Sequence, residues 1–247
     1  MNADPIPVLA IDAGNTRIKW ALHDGASWIA RGTLSTAQAD GISELWSGIS
    51  GRTRAIASNV AGDAVGGKIE SACAAHGLAL AFIRSQRSQL GVTSDYRDPS
   101  QLGSDRWAAL IAAHRSASEH MLVVNAGTAL TIDALCADGR FLGGLIVPGP
   151  ALMRRALDHG TAGLRLTEGA FAAFPTSTPD AITTGAVQAG IGAITRMREA
   201  MARRGVPPAR LMLSGGAAAQ IEPYLPMPAT LNDNLVLDGL ALIARES

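Results

Sequence analysis

The chain has 247 residues, and its 21 lysines and arginines balance its 21 aspartates and glutamates, so the formal net charge is zero. This balance argues against a nucleic-acid-binding protein, because phosphate binding needs an excess of basic charge, and an aromatic content of 4% argues against base stacking. No apolar run reaches the roughly 18 residues of a membrane span. We therefore expect a cytoplasmic globular protein with a large core, and neither nucleic acid nor a membrane as its partner.

The first half of the chain predicts a β-meander followed by alternating helices and strands. Residues 8–11 are apolar throughout, as in a buried strand, and residues 17–22 alternate polar and apolar, as in a strand with one solvated face. In chain order we predict strands at 8–11, 17–22 and 27–34, a helix around 39–49, a strand at 54–60, a helix at 65–75, a strand at 79–83, a turn-rich segment at 85–103 and a helix at 104–118.

A similar beginning recurs in the second half, where Val124-Asn125-Ala126-Gly127 echoes Ile11-Asp12-Ala13-Gly14. Each tetrapeptide stands at the end of the first predicted strand of its half. The echo predicts an α/β protein of two similar lobes, 1–118 and 119–247, with a cleft between them. The later predicted elements are strands at 121–124, 129–135 and 143–149, a helix at 151–159, a helix from Pro179 to Arg204 with Thr178 as its N-cap, a strand at 210–214 and a helix at 235–245.

The turn between the first two strands reads Asp12-Ala13-Gly14-Asn15-Thr16. As a phosphate cradle, Gly14 would let backbone N–H groups approach an anion, Lys19 would add charge, and Asp12 would act through Mg²⁺. As an ordinary hairpin turn, the same residue types are expected, although Lys19 is then unexplained. The echo in the second half favours the phosphate cradle.

A second constellation precedes and opens the helix at 104–118. It contains Tyr96 and the run Gly103-Ser104-Asp105-Arg106. Asp105 falls in the first helical turn, where it is either a capping acid or a carboxylate general base beside an arginine that binds an acidic substrate. The spacing alone does not decide between these two roles.

One motif imitates a known nucleotide-binding loop. Gly62 to Lys68 has the G-x-x-x-x-G-K spacing of a P-loop, but Ile69 stands where that motif needs Ser or Thr to hold Mg²⁺. We interpret the segment as an ordinary strand-to-helix loop.

Together the motifs resemble those of the type III pantothenate kinases, which belong to the acetate kinase–Hsp70–actin-like superfamily. The resemblance implies two ribonuclease-H-like lobes, the actin-like ATPase fold, with a nucleotide cleft between them. The matching pieces, in the family's order, are Asp12-x-Gly14-Asn15-Thr16-x-x-Lys19, Tyr96-Arg97-x-Pro99, Gly103-Ser104-Asp105-Arg106, Gly127-Thr128 with Thr131 and Asp133, Gly143-Gly144-x-Ile146-x-Pro148-Gly149, and Ser177-Thr178-x-x-Ala181-Ile182-x-x-Gly185.

The resemblance implies ATP-dependent phosphorylation of pantothenate to 4′-phosphopantothenate, the first step of coenzyme A biosynthesis, by a homodimer that uses Mg²⁺. Asp105 would accept the proton of the substrate hydroxyl. The residues implied to bind ATP are Asp12, Ala13, Gly14, Asn15, Thr16, Arg17, Ile18, Lys19 and Thr128. Those implied to bind pantothenate are Tyr96, Gly103, Ser104, Asp105, Arg106 and Thr178.

One position departs from the family pattern. Asn125 stands where the family usually has an aspartate that binds a monovalent cation, K⁺ or NH₄⁺. An asparagine offers a carbonyl oxygen without negative charge, so the cation would be held more weakly or not at all. This departure leaves open an alternative, a nucleotide-binding regulatory protein like the Bvg accessory factors with little or no kinase activity. A phosphatase or sugar kinase on the same fold is also open, because a fold alone does not fix a substrate.

Overall fold

The computed structural model describes residues 6–49, 52–161 and 167–246. The chain divides into two compact units: the first runs to Ser116 and resumes at Asn234, and the second spans Ala117–Asp233. The expected lobes, 1–118 and 119–247, differ from these units in their final segment. That segment forms a helix with an apolar face that packs within the first unit, so the second lobe ends before it.

The first unit is built on a five-stranded sheet with strand order β3-β2-β1-β4-β5. Strands β1 to β3 form an antiparallel meander, whereas β4 and β5 extend the sheet in parallel to β1. Its elements are β1 (Val8–Ala13), β2 (Arg17–His23), β3 (Trp28–Ser35), a 3-10 helix (Thr36–Trp46), β4 (Arg54–Asn59), α1 (Asp63–Ala75), β5 (Ala79–Phe82), β6 (Ser88–Gln89), β7 (Val92–Ser94), a 3-10 turn (Pro99–Gln101), α2 (Ser104–Ser116) and α6 (Leu235–Glu246).

The two faces of this sheet have different covers, because successive side chains of a strand point to opposite faces. Leu9 and Ile11 belong to a core shared with the 3-10 helix and α1. Helices α2 and α6 pack against each other, and α6 also packs against β1 and β4. Alternation along β1 therefore places Asp12 on the face opposite Leu9 and Ile11, and this orientation prepares the site described below.

The second unit repeats the same connectivity. Its strands follow the order β12-β11-β8-β9-β10, with β8, β9 and β10 antiparallel and β11 and β12 parallel to β8. The prediction of two similar α/β halves from the short tetrapeptide echo is thereby confirmed. Its elements are β8 (Met121–Ala126), β9 (Ala129–Leu135), β10 (Arg140–Pro148), α3 (Pro150–Gly160), α4 (Thr178–Arg203), β11 (Arg210–Ser214), α5 (Ala218–Ile221), a 3-10 turn (Glu222–Tyr224) and β12 (Ala229–Leu231).

Helix α4 begins one residue earlier than expected. Ser177, rather than Thr178, is its N-cap, and the Ser177 hydroxyl accepts a hydrogen bond from the backbone N–H of Asp180. Thr178 is the first helical residue and is exposed. In the parts of the chain that the structure describes, neither α4 nor any other helix combines the length and the apolar character needed to cross a bilayer.

The sequence predictions miss several short elements. The segment predicted as turn-rich contains the hairpin of β6 and β7, and Gln89 in this hairpin accepts a hydrogen bond from the buried indole N–H of Trp107 at 2.8 Å. The predicted helix around 39–49 is a 3-10 helix with a kink at Gln38. Helix α5 and strand β12 were not predicted, because elements of three or four residues are too short to show a period.

Replacing Gly239 by alanine should destabilise the first unit. Gly239 lies where α6 crosses α2, and a Cβ there would overlap the backbone of Ala108, which cannot move without shifting α2. We expect a loss of about 1–3 kcal/mol of unfolding free energy, measured by urea denaturation. The control Gly192→Ala, at an exposed position of α4 where a Cβ meets nothing within 4 Å, should instead stabilise by roughly 0.5–1 kcal/mol. Equal effects of the two substitutions would contradict the close packing of α6 on α2.

Candidate active site

Three polar side chains lie side by side across the first sheet, near the end of β1. Asp12 on β1 is paired in register with Lys19 on β2 and with Ser58 on β4. Paired residues on adjacent strands point to the same face. The Asp12 carboxyl therefore has an ammonium group on one side and a buried hydroxyl on the other, on the face that α2 and α6 cover.

Two hydrogen bonds to Gly14 fix the turn that follows Asp12. The backbone N–H of Gly14 donates to the carbonyl of Arg17 at 3.0 Å, and the hydroxyl of Thr36 donates to the carbonyl of Gly14 at 2.7 Å. Asn15 and Thr16 are exposed at the tip. The segment is thus a hairpin turn in form, with an accessible tip suited to an anionic ligand.

The N-terminus of α2 carries the second acidic group. Asp105 lies in the first turn of the helix, where the helix dipole favours a negative charge, and its Oδ1 accepts a hydrogen bond from the backbone N–H of Arg106 at 2.8 Å. Both roles considered for this residue, capping acid and reactive carboxylate, are compatible with this geometry. The pKa shifts of Asp105 and Asp12 bear on the choice between these two roles.

The two carboxyl groups influence each other. Burial and the nearby Asp105 carboxylate raise the pKa of Asp12 from 3.8 to about 7, against the lowering effect of Lys19. Burial raises the pKa of Asp105, while the backbone N–H and the guanidinium of Arg106 oppose this. Two neighbouring acids whose pKa values are both raised by burial are more typical of a catalytic or cation-binding site than of a simple helix cap.

A buried arginine lies beside this acid. Arg106 is only 5% exposed, its Nη1 donates to the Tyr96 hydroxyl at 3.3 Å, and its Cζ is 5.9 Å from the centre of the Tyr96 ring. The backbone that presents Tyr96 is held by Arg87, whose guanidinium donates to the carbonyls of Ser94, Tyr96 and Arg97 at 2.6 to 3.0 Å. The first unit therefore brings Asp12, Lys19, Tyr96 and the Gly103–Arg106 run into one neighbourhood.

The remaining predicted site residues lie in the second unit. Asn125 lies near the end of β8, and Gly127 and Thr128 form the turn to β9, where the Gly127 N–H donates to the carbonyl of Ala129 at 3.0 Å. The backbone N–H of Gly149 donates to the carbonyl of Thr128 at 2.8 Å, and a Cβ at Gly149 would overlap the carbonyl of Gly127. This close approach explains a glycine at position 149. Thr178 is separate from this turn in the chain, at the start of α4.

The residue at the predicted cation position has one notable contact. Gly215 has a φ of +100°, and a Cβ there would lie 2.5 Å from Oδ1 of Asn125. The absence of a side chain at Gly215 thus allows the neutral amide oxygen of Asn125 to pack closely against the Gly215 backbone. Oxygen ligands suit K⁺, so the donor type fits a monovalent cation, but the position supplies no negative charge.

The P-loop-like segment, Gly62 to Lys68, spans the end of the loop after β4 and the first turns of α1. Gly62, with a φ of +93°, ends the loop after β4, and α1 begins at Asp63. The Lys68 ammonium lies 2.8 Å from Asp40 Oδ2 at the surface. The segment therefore joins a strand to a helix, as the sequence predicts, and its lysine forms an ion pair at the surface.

A cavity of about 680 Å³ opens beside the start of α2. It is lined by the ends of β4 and β5 and by the N-terminal half of α1. Of the predicted substrate-binding residues, it is lined by Gly103 and Ser104, whereas Tyr96 and Arg106 do not line it.

Three residues that organise the site were not among the sequence predictions. They are Ser58, Ser85 and Arg87. Isolated serines and one arginine in a turn-rich segment form no recognisable spacing, so the sequence offered no signal for them. Their positions became apparent only through their hydrogen bonds to the segments that carry Tyr96 and Asp105.

Comparisons with known proteins decide which family these motifs represent. The family model of type III pantothenate kinase matches residues 8–200. A type III pantothenate kinase of Aromatoleum aromaticum is 46% identical over 97% of this chain and 98% of its own length. The chain belongs to the type III pantothenate kinase family. It is accordingly a kinase.

Solved structures place the kinase in the actin-like ATPase and sugar kinase fold. A Sinorhizobium meliloti protein described as a candidate 2-dehydro-3-deoxygalactonokinase aligns with a TM-score of 0.63 at 18% identity, covering 97% of this chain and 96% of that one. MreB5 of Spiroplasma citri, solved with ADP, aligns with a TM-score of 0.55 at 9% identity, covering 98% and 97%. At these identities the likeness concerns the fold alone, and it confirms the expected fold class.

Replacing Asp12 by asparagine should stabilise the unliganded kinase above neutral pH. The folded state holds the Asp12 proton more tightly than the unfolded chain, so its contribution to stability is full below pH 3.8 and is lost as pH rises through about 7. Asparagine carries no charge, so Asp12→Asn should unfold at higher urea concentration than wild type at pH 8, and the difference should shrink at pH 5.

The control for this measurement is Glu44→Gln, which removes an exposed acid from the same unit. It should leave the pH dependence of the urea midpoint unchanged. Equal midpoints for Asp12→Asn and wild type at both pH values would show that the folded state does not raise the pKa of Asp12.

Proposed function

We propose that this pantothenate kinase transfers the γ-phosphoryl group of ATP to the terminal hydroxyl of pantothenate, with Asp105 as general base. The product, 4′-phosphopantothenate, would enter coenzyme A biosynthesis. The observation that carries the proposal is the N-terminus of α2, where Asp105 and the buried Arg106 are adjacent and the Asp105 carboxylate acts electrostatically on Asp12.

The proposed step balances as a simple displacement. The hydroxyl oxygen of pantothenate forms a bond to the γ-phosphorus, the bond from that phosphorus to the bridging oxygen of ADP breaks, and the hydroxyl proton passes to Asp105. Burial makes Asp105 a stronger base than an exposed aspartate, while Arg106 opposes its protonation in the resting state. Most of the rate enhancement in such transfers comes from positioning and charge neutralisation.

ATP and Mg²⁺ would be held at the end of β1. The accessible turn at Asn15 and Thr16 offers backbone and side-chain donors to phosphates, and Lys19 adds a positive charge. The half-buried carboxyl of Asp12, whose pKa is raised to about 7, has the chemistry of a Mg²⁺ ligand, directly or through water. Within the described ranges no three acidic, histidine or cysteine side chains form a metal cluster, so phosphate oxygens and water would complete the shell. The ion would neutralise the charge of the phosphates. Thr128 would contact ATP from the second unit.

Pantothenate is a carboxylate, and Arg106 supplies the counter-charge for it. The guanidinium is fixed beside the Tyr96 ring and hydroxyl, so little side-chain entropy is lost when the substrate binds.

Thr178 is exposed at the start of α4, and Phe174 shortly before it is 91% exposed. We propose that the kinase is a homodimer in which such apolar groups are covered and Thr178 contacts substrate.

Both cysteines are consistent with action in the reducing cytoplasm. Cys73 and Cys136 are both buried and are not joined in a disulfide. We propose this compartment as the place of the reaction.

Asp105→Asn should reduce pantothenate-dependent ADP formation by about 10²-fold or more, because the hydroxyl proton then lacks its acceptor. ATP binding, measured by calorimetry, should persist. The matched control is Asp98→Asn, an exposed acid whose Oδ1 caps the neighbouring 3-10 turn; its kcat should stay near that of wild type. Normal turnover by Asp105→Asn would eliminate the role as base. A folded wild-type chain that binds ATP but produces no ADP would favour the regulatory alternative.

The monovalent cation gives a separate prediction. Because Asn125 offers a neutral oxygen, we expect the wild-type kinase to respond weakly when Na⁺ is replaced by K⁺ in the ADP assay. Asn125→Asp should introduce the missing charge and strengthen activation by K⁺ several-fold. Asp138, an exposed acid of the same unit, provides the control as Asp138→Asn, which should not change the response. An identical K⁺ response of wild type and Asn125→Asp would place cation binding elsewhere.

A further inference from the structure

Two buried serines hold the segment that immediately precedes the candidate base. Ser58 on β4 is 0% exposed, and its Oγ lies 2.8 Å from the Oγ of Ser104. Ser85, just beyond β5, donates its hydroxyl to the carbonyl of Leu102 at 2.8 Å and lies 3.4 Å from that of Gly103. The segment from Leu102 to Ser104 is therefore tied to the sheet at two points.

This segment is in close contact with the carboxylate of Asp105. A Cβ added at Gly103 would lie 2.6 Å from Oδ1 of Asp105, so the carboxylate rests directly against the Gly103 backbone. The same Oδ1 accepts the backbone N–H of Arg106. A shift of the segment must consequently move the Asp105 carboxylate with it.

Ser58 is also the neighbour of the other carboxyl group. It is paired in register with Asp12 on the adjacent parallel strand, and both side chains point to the face that α2 covers. The hydrogen bond between Ser58 and Ser104 thus joins a neighbour of Asp12 to the residue before Asp105. The two carboxylates repel each other when both are ionised. The hydrogen bond between Ser58 and Ser104 opposes this repulsion by limiting how far Asp105 can move away from Asp12.

We propose that Ser58 is a positioning residue of the kinase, which fixes the Asp105 carboxylate relative to the end of β1 through its hydrogen bond with Ser104. The proposal rests on the proposed role of Asp105 as base. Ser58 itself touches neither substrate nor the reacting atoms. Without its hydroxyl, Asp105 spends less time within reach of the acceptor hydroxyl, which lowers kcat. The phosphate-binding turn after β1 does not depend on this bond, so the KM for ATP is preserved.

The test is a double-mutant cycle on pantothenate-dependent ADP formation. Ser58→Ala should lower kcat by about 10-fold, the scale expected for a base displaced by a fraction of an ångström, and leave the KM for ATP within about 2-fold of wild type. Ser104→Ala should produce a similar loss of kcat. The double variant should lose little more than either single variant, because both substitutions remove the same hydrogen bond.

The control is Ser116→Ala at the other end of α2. The Ser116 hydroxyl donates to the carbonyl of Ala113, also at 2.8 Å, so this variant loses a serine hydrogen bond of equal length from the same helix. Its kcat should equal that of wild type. Thermal unfolding of every variant separates a loss of positioning from a loss of folded protein.

Two results would overturn the positioning role while leaving the proposed function intact. One is a folded Ser58→Ala kinase with wild-type kcat; the other is a double variant whose losses multiply. If Ser58→Ala does not fold, Ser104→Ala decides, since Ser104 is only partly buried, and wild-type kcat in that variant would refute the link. A wild-type chain that turns over no pantothenate would overturn the proposed function, and this role with it.

Discussion

The burial of two neighbouring acids, Asp12 and Asp105, is the constraint on which the candidate site depends. One acid comes from the end of β1 and the other from the start of α2, and each is removed from bulk water. Isolated acids in such surroundings would take up protons and become unreactive. Lys19 beside Asp12 and Arg106 beside Asp105 counter that tendency, so the sheet, the helix and the two cations form a single electrostatic arrangement.

Burying these acids lowers the stability of the unliganded protein, but it provides the charged groups that phosphoryl transfer requires. Phosphoryl transfer involves an anionic nucleotide, a divalent cation and a proton acceptor, and each needs charge in a partly dry environment. The chain has no net charge to supply a broad attractive field. Any anion it binds must therefore be recognised by local groups, and the candidates in the first unit are the Asp12 turn, Lys19 and the buried Arg106.

The sequence was informative where a function depends on neighbours along the chain. The Asp12 turn and the Gly103–Arg106 run are each continuous, so residue types and spacing were enough to nominate them, and the echo at Asn125 indicated the duplicated topology. Contacts between residues that are distant in the sequence could not be predicted. Ser58 meets Ser104 only after β4 and α2 pack together, and no local pattern in either segment announces the other.

The placement of α6 shows the same limit in a different form. The sequence predicted a helix at 235–245, but the pattern of a helix does not state which surface it packs against. Chain order suggested the second lobe, whereas the glycine at position 239 lets α6 approach α2 in the first unit. The two- and three-residue strands of the β6–β7 hairpin and the four-residue helix α5 were missed for a simpler reason, namely their length.

The position of α6 also has a consequence for biosynthesis. This helix completes the first unit, yet it emerges from the ribosome only after the whole second unit has been translated. The second unit is continuous in the chain and has all of its strands available earlier, whereas β1 and α2 must wait with an uncovered apolar surface for their last partner. The candidate acids Asp12 and Asp105 thus lie in the unit that is completed last. A nascent chain interrupted before α6 would contain every motif of the candidate site but lack the helix that packs against α2, β1 and β4.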